Sequence, residues 1–345
     1  MARLTEKENY LRCLAGEVPE WIPHIVLADN SDSGRMRPSA GASPSILNGQ
    51  YDPKGDHKDI WGVEYVTSKE AAGGMLPKTW DFLLDDVTKW NDVIKAPSLE
   101  GVDWEMMAKK DLEFAKINRN ETALEYGCHS GFFLDLMAFM GFTEGLCALF
   151  DEPEECKELL QYLSDFYYDI AVKTIDYYKP DILQMGDDNA AWGNPFVSLP
   201  MFQRYFVPRY SRFTQFAKDR GLFVTYHNCG KCESFMPDMI EKVGVTVWDP
   251  AQDCNDLMAL KNKYGNRLIM SGCINGSSTF VADDLTEDRI RDILWDVANK
   301  YASGGGFFFQ ASFIIPDETN KYDIWRRDTV FNVMDEISKE FYKKN

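Results

Sequence analysis

Leu222-Phe223-Val224-Thr225-Tyr226-His227-Asn228-Cys229-Gly230-Lys231-Cys232 is the stretch on which the fold turns. Its apolar start, Leu222 to Val224, reads as a buried strand. Glu233 to Gly244 follows, with apolar residues at helical spacing and a glycine stop. A buried strand running directly into a helix is the building unit of a parallel α/β sheet. His227 and Cys229 stand two residues apart where the strand ends, so alternation along the strand predicts that both point the same way. An imidazole and a thiolate converging there supply two of the three protein ligands of a catalytic zinc site. An isolated His-x-Cys is more often a satisfied histidine beside a packed thiol, and the rest of the chain decides between the two. Cys229 to Cys232 also has Cys-x-x-Cys spacing, but thioredoxin-like folds are small and a preceding histidine suits a metal better than a dithiol.

Outward from this stretch, strand and helix patterns alternate. Toward the N-terminus, Asp181 to Met185 reads as a strand followed by Gly186-Asp187-Asp188-Asn189, and Thr122 to Gly127 as a strand followed by Cys128-His129-Ser130-Gly131. Helices are expected over 104–117, 132–149, 151–178 and 200–219. Toward the C-terminus, strands at Val245–Trp248, Leu268–Ser271 and Gly306–Gln310 alternate with helices over 255–264, 287–301 and 324–341. Trp21 to Leu27 reads as a first strand, preceded by a helix that Thr5 and Glu8 box in and Gly16 stops. Residues 35–60 carry Pro, Gly, Ser and Asp without a period and read as a long loop or lid. Trp61–Thr67 and Lys78–Phe82 suggest a small β insertion. About eight strand–helix units predict a closed (β/α)8 TIM barrel: one barrel domain over residues 1–345 with a loop and β insertion at about 30–95.

The 345 residues carry a formal charge of −18, which argues against nucleic acid as a partner. No apolar run approaches the ~18 residues of a membrane span, and the first residues lack an apolar signal core. A cytoplasmic protein is expected, and its eight scattered cysteines are expected to be reduced thiols.

In a barrel of this kind, function sits at the C-terminal strand ends. The reactive residues collect there: His129, Asp187, Asp188, His227, Cys229, Asp249, Cys273 and Ser312. Zinc is the leading expectation, held by His227, Cys229 and a third group. Cys273, two strand ends along, is preferred for that position. Cys232, in the first turn of the next helix, ranks second, and Asp187 or Asp188 offers an oxygen instead. Asp187 and Asp188 also suit a general acid–base pair or a hold on a substrate hydroxyl, and His129 suits an orienting role. Trp192, Phe309 and Phe313 are candidates to contact a flat apolar substrate.

Gly186-Asp187-Asp188, the proline-containing helix from Pro200, His227-Asn228-Cys229-Gly230, Asp249-Pro250, Gly272-Cys273-Ile274-Asn275 and Gly304-Gly305-Gly306 together resemble the uroporphyrinogen decarboxylase superfamily. His-x-Cys-Gly resembles its corrinoid-dependent methyltransferase branch. The arginine- and glycine-rich signature of the decarboxylases is absent, with only Arg35 and Arg37 in that region. The resemblance implies a barrel with zinc at its mouth. The implied ligands are a His and a Cys two apart, matched by His227 and Cys229, and a Cys after the last strand, where this chain has Ser312. It further implies cobalamin carried on a separate corrinoid protein, a small-molecule methyl donor and possible homodimers. With one sulfur fewer, the zinc is expected to polarise an ether oxygen, the first step of O-demethylation.

Overall fold

The computed structural model describes residues 4–26, 38–51, 57–67, 75–274, 276–280, 282, 284–311 and 320–344. Among the described residues twelve strands fall into two sheets. The barrel strands are β1 (His24–Val26), β2 (Ser39–Gly41), β7 (Ala123–Gly127), β8 (Ile182–Gly186), β9 (Phe223–His227), β10 (Val247–Ala251), β11 (Ile269–Gly272) and β12 (Phe307–Ala311). They pair in parallel in the order β1-β12-β11-β10-β9-β8-β7-β2, which brings the first two strands to the two edges of a nearly closed (β/α)8 barrel. The remaining strands, β3 (Gln50–Tyr51), β4 (His57–Lys58), β5 (Glu64–Thr67) and β6 (Met75–Pro77), form an antiparallel sheet inserted between β2 and β7.

The strands alternate an inward and an outward face, and each face has its own core. Outward residues such as Tyr126, Leu183, Val224, Trp248, Met270 and Phe309 pack under the surrounding helices. At the other end of the barrel, Tyr10, Cys13 and Leu14 of the N-terminal helix Glu6–Leu14 cluster with Ala123, Ile182, Val247 and Ile269, the first residues of four strands, and with Phe308. That helix therefore plugs the N-terminal end. It starts at the capping box anticipated from sequence: Thr5 Oγ1 accepts from Glu8 N–H, and Glu8 returns a bond to Thr5 N–H. Burying a side chain the size of Leu14 is worth about 1.5–3 kcal/mol, so the plug is held mainly by apolar area.

Two expected helices are each broken in two. Phe132–Met140 and Phe142–Asp151 meet at a 112° bend at Gly141, whose φ is +82°. The expected helix over 200–219 divides into Leu199–Tyr205 and Val207–Asp219, with Pro208 in the first turn of the second. After Cys232, only Met236–Asp238 is α-helical and Met239–Val243 is a wider π turn, ended by Gly244 at φ +84°. The strand β2 falls within residues 35–60, where sequence reading expects only loop. Among the described residues no single helix is long and apolar enough to cross a membrane.

Candidate metal centre

Register sets the site. Gly186 of β8, His227 of β9 and Asp249 of β10 are paired in one row across the sheet. Gly186 has no side chain, and a Cβ there would lie 3.3 Å from the His227 Cβ. The loops beyond the strands are laced together. Asn228 N–H donates to the Asp249 carbonyl (3.0 Å) and Asp187 N–H to the His227 carbonyl (3.1 Å). Cys229 N–H donates to Asp188 Oδ1 at 2.8 Å, and Asn228 Nδ2 donates to Asn189 Oδ1 and to the Tyr226 hydroxyl, each at 2.8 Å.

Cys229 lies beyond the end of β9, yet its Sγ comes back to 3.6 Å from His227 Nε2. Asp188 Oδ1 is 3.8 Å from the same nitrogen. These three side chains present donor atoms within 4.8 Å of one another. A tetrahedral zinc with bonds of about 2.0 Å to nitrogen and 2.3 Å to sulfur sets its donors roughly 3.3 to 3.8 Å apart. The spacing and the mixture of imidazole, thiol and carboxylate therefore fit zinc, with a fourth position left for a substrate. His227 Nδ1 faces Asp249 Oδ2 at 3.6 Å, and Asp249 Oδ1 accepts from the Ser271 hydroxyl at 3.0 Å. A carboxylate behind a metal-facing imidazole fixes ring orientation and tautomer. Burial disfavours the charged His227 ring, but Asp249 and Cys229 beside it more than compensate and push its pKa up to about 11. The surroundings thus favour positive charge at this corner.

The corner opens on a cavity of about 700 Å³. His227, Asp187, Asp188 and Gln184 line one part. His129, Asp135 and Leu134 line another, and Tyr65, Met75, Leu76 and Pro77 of the inserted sheet form a wall. His129 Nε2 lies 2.9 and 3.0 Å from the two oxygens of Asp135, and its ring stacks on Tyr167 at 4.1 Å. The Tyr167 hydroxyl in turn accepts from Trp61 Nε1 at 2.6 Å. Burial lowers the His129 pKa, yet Asp135 outweighs it and the net shift is upward.

The sequence candidates do not all meet. Asp188 stands at the third corner of the candidate metal centre, the position for which Cys273 was preferred. Cys273 is outside that group: it is 2% exposed, turned at φ +60° after β11, and its thiol is pushed up by burial. Cys232 is buried, and its thiol donates to the Asn228 carbonyl at 3.6 Å. Asp187 lines the cavity but is 1% exposed. It accepts from Phe133 N–H (2.9 Å), Leu134 N–H (3.2 Å) and the Tyr210 hydroxyl (2.5 Å). Its carboxyl, pushed up to about 7 by burial, caps the helix Phe132–Met140 from the end of β8. Phe309 is 0% exposed and faces the helices, because Phe308 takes the inward side of β12. Half-exposed Trp192 lies in the loop after β8 and does not line the cavity. Ser312 and Phe313 lie outside the described residues. Sequence reading missed Asp135. Its signal was visible: the one charged residue in the otherwise apolar helix Phe132–Met140.

Residues 127–324 match the family described as Uroporphyrinogen decarboxylase (URO-D), more than half of the chain, with Asp188, His227 and Cys229 inside the match. The chain belongs to the uroporphyrinogen decarboxylase family. No curated protein is significantly similar to this URO-D family member. Among solved structures it is similar to a B12-independent methionine synthase from Shewanella sp. W3-18-1 in complex with selenomethionine, at 9% identity and a TM-score of 0.44, over 83% of this chain and 77% of that one. It is also similar to a D-psicose 3-epimerase with D-tagatose from Clostridium cellulolyticum H10, at 9% identity and a TM-score of 0.35, over 69% of this chain and 83% of that one.

Proposed function

We propose that this URO-D family member is a corrinoid-dependent methyltransferase. It would move a methyl group from a methoxylated aromatic substrate to the cob(I)alamin of a separate corrinoid protein. The observation that carries this reading is the corner of Asp188, His227 and Cys229 opening on the mouth cavity. Zinc, when bound there, would supply Lewis acidity to an ether oxygen. Replacing a thiolate by the carboxylate of Asp188 keeps the ligand charge but donates fewer electrons, which strengthens that acidity.

The residues of the chain do the remaining work. His227, Cys229 and Asp188 would hold the metal, and Asp249 would orient His227 from behind. Leu134, Tyr65, Met75, Leu76 and Pro77 offer an apolar wall against which an aromatic ring can lie, in a cavity within the usual ~300–1,000 Å³ of ligand pockets. His129, held by Asp135, would contact a polar ring substituent.

The test is direct. Zinc-loaded protein mixed with a reduced corrinoid protein and methoxyaromatics is expected to give the methylcobalamin absorption spectrum, and Cys229→Ser is expected to abolish it. No spectrum with any methoxyaromatic overturns the reading. Transfer from methylcorrinoid to a thiol is the alternative within the same branch, and the single sulfur of the corner counts against it. A metal-free lyase is the second reading, supported by the His129–Asp135 pair in the cavity. Purification with markedly substoichiometric zinc, and no loss of activity in chelator, would favour it.

A further inference from the structure

Below the metal corner, inside the barrel, lies a second and much smaller cavity of about 30 Å³. Glu125, Asp249, Gln184, Thr225, Gln310 and Tyr10 are among the residues that line it, and no lysine, arginine or histidine does. A water needs roughly 10–15 Å³, so the space takes about two. Ser39 Oγ donates to Glu125 Oε2 at 3.2 Å, and Ser271 Oγ holds Asp249 Oδ1 at 3.0 Å. Thr225 is 3% exposed and its Oγ1 has no hydrogen-bond partner. A buried hydroxyl without a partner in a polar cavity calls for water. Gln184 lines both this cavity and the mouth.

We infer that the inner cavity is a proton store: two ordered waters join the carboxyl of Glu125 to Asp249 and Thr225, and the stored proton exchanges with the mouth past Gln184. Asp249 has the His227 ring 3.6 Å away as a counter-charge, whereas no lysine, arginine or histidine lines the cavity beside Glu125, so only one of the two carboxyl groups ionises cheaply and the other keeps its proton. Glu125 is that one. Burial, and then Asp249, push it up to about 7. The titratable groups facing it are Asp249 from β10 and Tyr10 from the N-terminal helix; Ser39, Gln184 and Thr225 are its neutral neighbours on β2, β8 and β9. The store would give a reaction at the mouth a proton source that does not depend on bulk water. It does not rest on zinc or on methyl transfer.

Infrared difference spectroscopy of the whole protein tests it without an activity assay. Below pH 7 the wild-type minus Glu125→Gln difference spectrum, in which Asp187 cancels, is expected to show a carboxylic-acid C=O band that disappears on titration through about 7. In D2O the band is expected to shift promptly, and more slowly in Gln184→Leu. Should Glu125→Gln not fold, isotope-labelled glutamate carboxyls in the wild type report the same titration by NMR. No glutamate titrating near 7 overturns the inference, and so does a band that fails to shift in D2O. A melting temperature higher in sodium or potassium than in choline chloride, with the difference lost in Glu125→Gln, would identify the occupant as a cation and overturn it too.

Discussion

His227 carries two relationships, one through each ring nitrogen, and they make separable predictions. Nε2 meets Cys229 and Asp188, so Cys229→Ser is expected to lose zinc on dialysis. Cys273→Ser is expected to keep it, because that thiol lies outside the group of donors. Zinc content after gel filtration checks both, and equal loss from the two variants would restore Cys273 as a ligand. Nδ1 meets Asp249. Loss of a carboxylate behind a ligating imidazole typically weakens metal binding by about 10–100-fold, so Asp249→Asn should shift a chelator-competition curve by that factor. His129 offers a third test at this scale. Burial lowers its pKa and Asp135 raises it, so Asp135→Asn leaves burial in control. The imidazole titration followed by NMR is then expected to move down in pH; a titration that stays in place would mean Asp135 does not set the charge of His129.

The turn after β9 shows how one element positions another. Gly230 has φ +83°, and a Cβ there would meet the carbonyl oxygens of Ala190 and Ala191 at 2.6 Å each. Lys231 N–H donates to that same Ala191 oxygen at 2.8 Å. The loop carrying Asp188 and the loop carrying Cys229 are therefore pressed together with room for glycine only. Gly230→Ala costs about 1–2 kcal/mol for the backbone conformation alone, and the clash adds to it. A drop of at least about 2 kcal/mol in urea unfolding is expected, together with weaker zinc binding; full stability with normal zinc content would show the contact to be slack. His-x-Cys-Gly was legible in the sequence because the chemistry of the motif and the constraint on its glycine coincide. The strand β2 was not legible, since Ser39-Ala40-Gly41 has no β-branched or aromatic residue and is a strand only because it pairs with β7. Asp188 as third donor was one option among several. Sequence spacing shows which residues reach strand ends, but register decides which neighbours converge, and Asp188 is one strand away from His227 whereas Cys273 is two. Phe309 misled for a related reason: three consecutive phenylalanines give no clue to which of them faces inward.

At the scale of the whole molecule, the barrel encloses carboxyl groups at two levels: Glu125 inside the barrel, and Asp187 under the first turn of the helix Phe132–Met140. Burial raises each to about 7, well above the usual ~4 of an unfolded carboxylate. The sign follows from linkage. Between pH 4 and 7 the folded state keeps protons that the unfolded state has released, so folding takes up protons and stability falls as pH rises through that window. One pKa unit is about 1.4 kcal/mol, so Glu125 alone costs up to about 3 kcal/mol by pH 8. Glu125→Gln keeps the shape and removes the charge. The difference in urea-unfolding stability between the variant and the wild type is therefore expected to grow between pH 5 and 8 in favour of the variant, and then level off. A difference that is constant with pH would mean that Glu125 ionises in the fold as freely as in the unfolded chain. Closure of the barrel floor by Tyr10, Cys13 and Leu14 sets the size of the effect, because it is the helix bearing them that keeps bulk water from the lower end of the cavity. Leu14→Ala should therefore lower overall stability by about 2–5 kcal/mol and also shrink the pH-dependent part of the Glu125→Gln difference.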